Sequence, residues 1–532
     1  MIANKKSLLA LSVASALTLS GCFSDDDNNV TITPPPEPTD PVVVAPETPD
    51  ALSLVVNGNV VNADFDAIKA QVTLLENGEL SANTVDVNGT AVNVIDATEG
   101  DFTFTLKEGA SVDSITVNVT AEGYVSKSFI VDLTLAEGES VVPAQLELVS
   151  KNAEGLADKV VEASVTDATT AEVITAKAES GKAGADVAVP ANTQLLDANN
   201  NPVSGSTISL NVTAADSTSA SAGAILPEGL NAAGAAEVKT PVAVTNIVMT
   251  DDAGNKIKKF SQPIEVTMAI PATTTLSSGE VVKTGDELTL TSHNEDTGVW
   301  STETNKVTVG ALNETNGTYA GSFMTDHLTF FSAVDTFDAC QSDINVTFSG
   351  DAIPANGLTV KMESSDYKAS VQARAGSTSQ TVISANKASQ KGIAADATAR
   401  VTVKDKNGNT WFDSETEVSV CGNVNVALSN PVTLVAESFA VTAVCENDNT
   451  VTTPLTGAVV KYRLENKGFE SATGTGGTYE LTDLVEASSY EVRVVPRGAK
   501  FAGLGAQNFT ITADGTDESA EITVACDEVT GS

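Results

Sequence analysis

The sequence predicts an all-β chain of tandem β-sandwiches carried behind an unstructured leader, and three observations predict it. From residue 51 onward, short runs of Val, Ile, Thr and Phe alternate with polar residues and stop at turn signals every eight to twelve residues, with no sustained 3.6-residue periodicity. A length of 532 residues exceeds one hydrophobic core, and domains of roughly 100 to 150 residues imply about three to five modules. The cysteines Cys340, Cys421, Cys445 and Cys526 form two successive intervals of 81 residues, each bounded by alternating strand-type sequence such as "VTAVC" and "ITVAC".

The leader comes first. Met1 to Gly21 carries Lys5 and Lys6, an apolar run from Leu8 to Leu19 and small residues before Cys22, the pattern of a secretory signal too short to span a bilayer. "LSGC" at 19–22 resembles the lipobox of bacterial lipoproteins. That resemblance implies cleavage before Cys22, a diacylglycerol thioether on its sulfur and an N-acyl chain on its new terminus. Several chains hold far better than one, since each buried methylene contributes about 0.8 kcal/mol. Phe23 at the following position is compatible with sorting to the outer membrane, and "SDDD" at 24–27 resembles the acidic surface-export signals of some Gram-negative lipoproteins.

After the acylated Cys22 of the 22–50 segment, residues 23–50, rich in proline and acid, read as an extended tether. At about 3.1 Å per residue it reaches at most about 85 Å and would lift the modules off the bilayer. Removal of the signal leaves 27 basic against 70 acidic residues, a net charge of −43. Such an excess repels nucleic acid and anionic lipid alike, so neither is expected as a partner; the expected contacts are the membrane through its lipid anchor and an extracellular protein or glycan.

Four modules follow, at 51–149, 150–338, 339–432 and 433–532. In "DFTFTL" the residues Phe102, Phe104 and Leu106 share one strand face, and in "SITVNV" so do Ile115, Val117 and Val119. Asn57-Gly58, Asn77-Gly78, Asn88-Gly89 and Asn407-Gly408 suit tight hairpins, and "SANKASQKGIAADATA" at 384–399 suits a short helix. The first module, through "GNVVNA", the Gly100-Asp101-Phe102 step and Gly123-Tyr124, resembles the carboxypeptidase regulatory-like domain, a transthyretin-like sandwich. The last resembles it through "PLTGAVVKYRLENKG", "GTYELTDL" and "YEVRVVPRG". Within 150–338, one domain or two, "TGVW" at 297–300 and "TDHLT" at 325–329 resemble a ZU5-related extracellular β region, which implies structural roles for Trp300 and His327. The module at 339–432 reads as a disulfide-bridged sandwich. Pairing Cys340 with Cys421 and Cys445 with Cys526 is the only connectivity that keeps each bond within one module. Each such loop contributes about 4 to 5 kcal/mol in the chain-entropy account and needs an oxidising compartment. Zinc is disfavoured, because no C-x-x-C pair occurs and the chain has two histidines.

Catalytic options are few. A serine triad would need His293 or His327 as base. Asp326 adjoins His327, but strand neighbours point to opposite faces. Neither a G-x-S-x-G elbow nor an H-E-x-x-H helix is present. Trp411, beside the turn in "DKNGNTWF", is the candidate for an exposed, glycan-binding aromatic, whereas Trp300 is expected in a core. Compared with an EF-hand loop, "DKNGNTWFDSET" at 405–416 has Thr410 where glycine is needed and Thr416 where glutamate is needed. "YELTD" at 479–483 is like the acid box of pilin-type CnaB domains, which would put Asp483 beside a Lys-Asn isopeptide bond; the outer strands offer Cys445 and Cys526 instead. The reading is a non-enzymatic, cofactor-free lipoprotein of the outer membrane, periplasmic or surface-exposed, that presents β modules for adhesion or recognition. The alternative is an accessory lipoprotein that binds substrate for polysaccharide or protein breakdown, with weak hydrolase activity of its own. An exposed aromatic row would favour the alternative.

Overall fold

The computed structural model describes residues 41–135 and 138–529; the signal segment, Cys22 and the tether as far as residue 40 lie outside the described residues. The fold is all-β, with short helices at Ala220–Ile225 and Ala385–Gln390. The second of these lies inside the alanine-rich stretch expected to hold one, after Ser384 at its N-cap.

Strand pleating explains the inward faces. In Ser114–Thr120, Ile115, Val117 and Val119 are buried, and in Asp101–Leu106 the rings of Phe102 and Phe104 fill the same core. The first module is a two-sheet sandwich. One sheet runs 141–147, 55–61, 101–106, 84–85, and the other is built on 79–80, 70–76, 114–120 and 127–132. Asn57-Gly58 corrects the sequence reading, because it lies mid-strand in Val55–Val61 rather than in a turn. Gly58 pairs with Phe102 across the ladder, and a Cβ there would fall 1.9 Å from the ring. The glycine admits the aromatic. The other three Asn-Gly pairs do form turns, with positive φ at Gly78, Gly89 and Gly408.

Residues 156–338 form one hydrogen-bonded network of thirteen strands around one hydrophobic core, from Ala157 through Leu210, Met268 and Phe331. The third and fourth modules are two-sheet sandwiches again. In the first, third and fourth modules the first and last strands lie side by side in parallel: 55–61 with 141–147, 344–350 with 423–428, and 434–445 with 518–524. The disulfides clamp the ends of those strand pairs: Cys340 and Cys421 lie just before 344–350 and 423–428, and Cys526 lies just past 518–524 opposite Cys445, at Cα separations of 5.7 and 5.4 Å.

The first module touches each of the others: the fourth through Asn57 and Asn59, the third through Glu147 and the second through Lys127. A second correction concerns the end of the tether, where the extended spacer expected as far as residue 50 instead pairs with the last module. Val42–Val44 pairs antiparallel with Asp527–Val529, and Thr48 meets Thr456 at 3.0 Å. The N-terminal arm therefore docks on the last module before the chain enters the first.

Candidate functional site

The chain has few cations, and the structure gathers many of them at the contacts between modules. In Val459–Leu464 the pleat turns Val460 and Tyr462 into the core, so Lys461 and Arg463 face outward. Arg493, on the neighbouring strand, is in register with Lys461. All three cations surround the ring of Phe469, at 5.3, 4.2 and 4.3 Å from its centroid. The first module supplies the rest. Asn57 and Asn59 donate to the Phe469 carbonyl at 2.9 Å, and Asn59 accepts from its N–H at 2.7 Å. Asp101 meets Lys461 at 2.7 Å and Arg493 at 3.0 Å, and Glu99 lies beside both arginines. Burial pushes the Asp101 carboxyl up, but Lys461 and Arg493 outweigh it and hold the group below its ordinary value. The resemblance found the strands, and missed that their outward faces form a buried interface. The signal was there in two places, as cations alternating with apolar residues in "VVKYRL" and "EVRVV".

A second junction joins the first three modules. Glu147 is held by Lys361 at 2.7 Å and Lys368 at 2.6 Å, while Glu228 accepts from Lys391 at 2.6 Å and from the Ile130 N–H at 2.7 Å. Lys127 reaches from the first module to the Ala224 carbonyl, near the end of the short helix of the second, at 2.7 Å. Burial pulls its ammonium down to about 8. A cavity of about 220 Å³ lies between these side chains. The charges bind modules to one another.

The histidines do not build a triad. Asp326 does reach His327, at 3.1 Å from Nδ1, against the expectation for strand neighbours. The strand Thr318–His327 ends at that residue, so the strict alternation of the pleat ends there too. On the other side Nε2 lies 3.5 Å from Glu303, and Glu303 accepts from the Ser292 hydroxyl at 2.5 Å. A carboxylate thus occupies Nε2, while the Thr325 hydroxyl, 3.2 Å from Nδ1, donates to the His327 carbonyl at 3.1 Å and accepts its N–H at 3.3 Å, a local turn contact rather than a free nucleophile.

His293 is sealed among Trp300, at 5.2 Å between ring centroids, and Phe330, and neither ring nitrogen has a hydrogen-bond partner. Burial holds its pKa down, to about 4, against the opposing pull of Glu295. A histidine depressed in the folded state takes up its proton mainly on unfolding. Its contribution is therefore complete above the unfolded pKa near 6.5 and is lost as pH falls through 6.5 toward 4. Between pH 7 and 5, unfolding titrations should show a loss of about 2 kcal/mol that His293→Leu does not share; equal pH slopes for both proteins would refute the assignment.

Trp411 is not an exposed platform, which corrects the reading of its turn. Its ring packs in the core of the third module at 3% exposure, and its N–H donates to Asp405 at 3.2 Å. The same carboxylate accepts both the backbone and the side-chain N–H of Asn409 at 2.9 Å. Asp405 is thus committed to shaping its own hairpin and holding the indole. Trp300 is half-buried, edge-on to Phe330, and donates to the Pro227 carbonyl at 3.3 Å. Asp483 does not face a lysine–asparagine pair. Its carboxylate accepts the backbone N–H groups of Ala355 and Asn356, which pins the third module to the fourth.

No family model and no curated protein matches the chain. Among solved structures, the minor pilin GBS52 of Streptococcus agalactiae aligns at 7% identity over 36% of this chain and 98% of its own, with a TM-score of 0.18. Two B repeat units of the collagen-binding protein of Staphylococcus aureus align at 10% identity over 90% and 100%, with a TM-score of 0.11. The pilus-presented adhesin Spy0125 aligns at 8% identity over 90% and 99%, with a TM-score of 0.13. At such TM-scores the likenesses carry no argument, and the all-β architecture stands on the chain's own strand topology.

Proposed function

We propose that this is a non-enzymatic, lipid-anchored protein of the outer membrane that presents clustered β modules for adhesion or recognition. The observation that carries this reading is where the reactive and cationic side chains go. The lysines and arginines described above hold modules together, the ring nitrogens of His293 are buried without a partner, and the one hydroxyl on the His327 ring, that of Thr325, is tied to the His327 backbone. Among the described residues every aromatic side chain is buried or half-buried, so no row of rings is offered to a sugar chain. That favours adhesion or recognition over accessory carbohydrate binding. The docked arm supports anchoring at the fourth module, because a lipid on Cys22 would lie only 20 residues before Val42. Labelled palmitate should enter the wild-type protein and not Cys22→Ala, and equal incorporation would rule out the anchor. Protease shaving of intact cells, followed by an array of glycans and matrix proteins, then identifies the ligand; hydrolysis of an arrayed glycan or protein would instead make it an enzyme.

A further inference from the structure

The arm that links the tether to the first module is held in two unequal stages. The outer stage is the ribbon of Val42–Val44 on Asp527–Val529, three residue pairs long, in a sheet of its own. Val42, Val44 and Val529 stay exposed at 60%, 45% and 51%, so the ribbon has little apolar burial to hold it. An isolated two-stranded ribbon is marginal in water. The inner stage is tighter. Arg497 of the fourth module donates to the Asp50 carbonyl at 2.8 Å, to Gly457 at 3.1 Å and, across the interface, to Val87 of the first module at 2.9 Å. Gly457 gives the arm room, since a Cβ there would fall 2.0 Å from the Pro49 carbonyl. Residues 49–53 also form one wall of an open cleft of about 970 Å³, whose other walls are 85–89 and 105–108 of the first module and 497–499 of the fourth.

We propose that residues 42–53 are a releasable strap: closed, it seats the fourth module at the tether; open, it lengthens the tether and removes a wall of the cleft. Release of twelve residues adds about 35 Å of reach at about 3.1 Å per residue. The consequence for reach rests on the lipid-anchor reading, while the strap itself is measurable without it. Opening runs from the exposed ribbon inward, because its three residue pairs separate before the Arg497 grip is disturbed.

Hydrogen exchange on the full chain in detergent tests this with three proteins: wild type, Val43→Pro/Val44→Pro and an oxidised Val43→Cys/Glu528→Cys. Adjacent strand amides point to opposite sides, so the double proline removes whichever one faces the ladder. Val43 and Glu528 are register partners, so their cysteines lock the ribbon. Peptide mapping confirms the native bridges, and unchanged exchange in Leu434–Cys445 confirms that the fourth module is folded. Amides 42–53 should exchange slowest when locked, about tenfold faster in wild type and fastest in the proline variant. Wild type matching the proline variant would mean that no strap forms, and wild type matching the locked protein would mean that it never opens; either overturns the proposal. Cys22→Ala should match wild type, which separates a failed strap from a failed anchor.

Discussion

Asp101→Ala is expected to destabilise the protein by about 3–5 kcal/mol, the cost of leaving buried cations without their counter-charge. Lys461 and Arg493 lose their shared carboxylate while remaining at side-chain exposures of 3% and 12%. Glu99 and Glu491 still neutralise Arg493, so the larger part of the loss falls on Lys461, which keeps the Thr103 hydroxyl at 2.9 Å and the face of the Phe469 ring but no counter-charge. The compensating variant follows from the same physics. In Asp101→Ala/Lys461→Met both charges go and the stem of the side chain stays, so most of the stability should return. Urea unfolding of the single and double variants measures it. A loss below about 1 kcal/mol for the single variant would mean that the first and fourth modules are apart in solution.

Removal of the Cys445–Cys526 bridge should cost about 2–5 kcal/mol, and the fourth module should unfold first. Both bridges close 81 residues, so chain entropy assigns them the same term. Any difference between Cys445→Ser/Cys526→Ser and Cys340→Ser/Cys421→Ser therefore reports native contacts. The first pair should lose more, because Cys526 immediately precedes the strand on which the N-terminal arm docks and the same module holds Phe469. Thermal unfolding with and without reductant, read by limited proteolysis, ranks the two. Equal losses would show that the arm and the interface contribute nothing beyond the staple.

Both experiments probe features of different visibility in the sequence. The alternation that buries Phe102, Phe104, Ile115 and Val117 is local, with a period of two, and was readable at once. So were the short helix after Ser384 and the bridges, since equal spacing beside strand-type sequence left one pairing within modules. Asn57-Gly58 was misread because a dipeptide cannot tell a turn from a strand whose two faces are both buried. Trp411 was misread for a related reason: a turn nearby suggested exposure, while the acceptor that draws the ring inward is a carboxylate six residues upstream. Asp326 and His327 showed the reverse error, an alternation rule applied to a residue where the strand stops.

By itself the sequence determined the all-β class, the strand faces and the disulfide framework, because each depends on neighbours or on spacing along the chain. Only the tertiary structure decided that the tether's end returns to the last module and that scarce cations meet their carboxylates between modules. Lys461 and Asp101 are 360 residues apart. The free energy of that pair depends on distance and burial in three dimensions, and no local pattern records either.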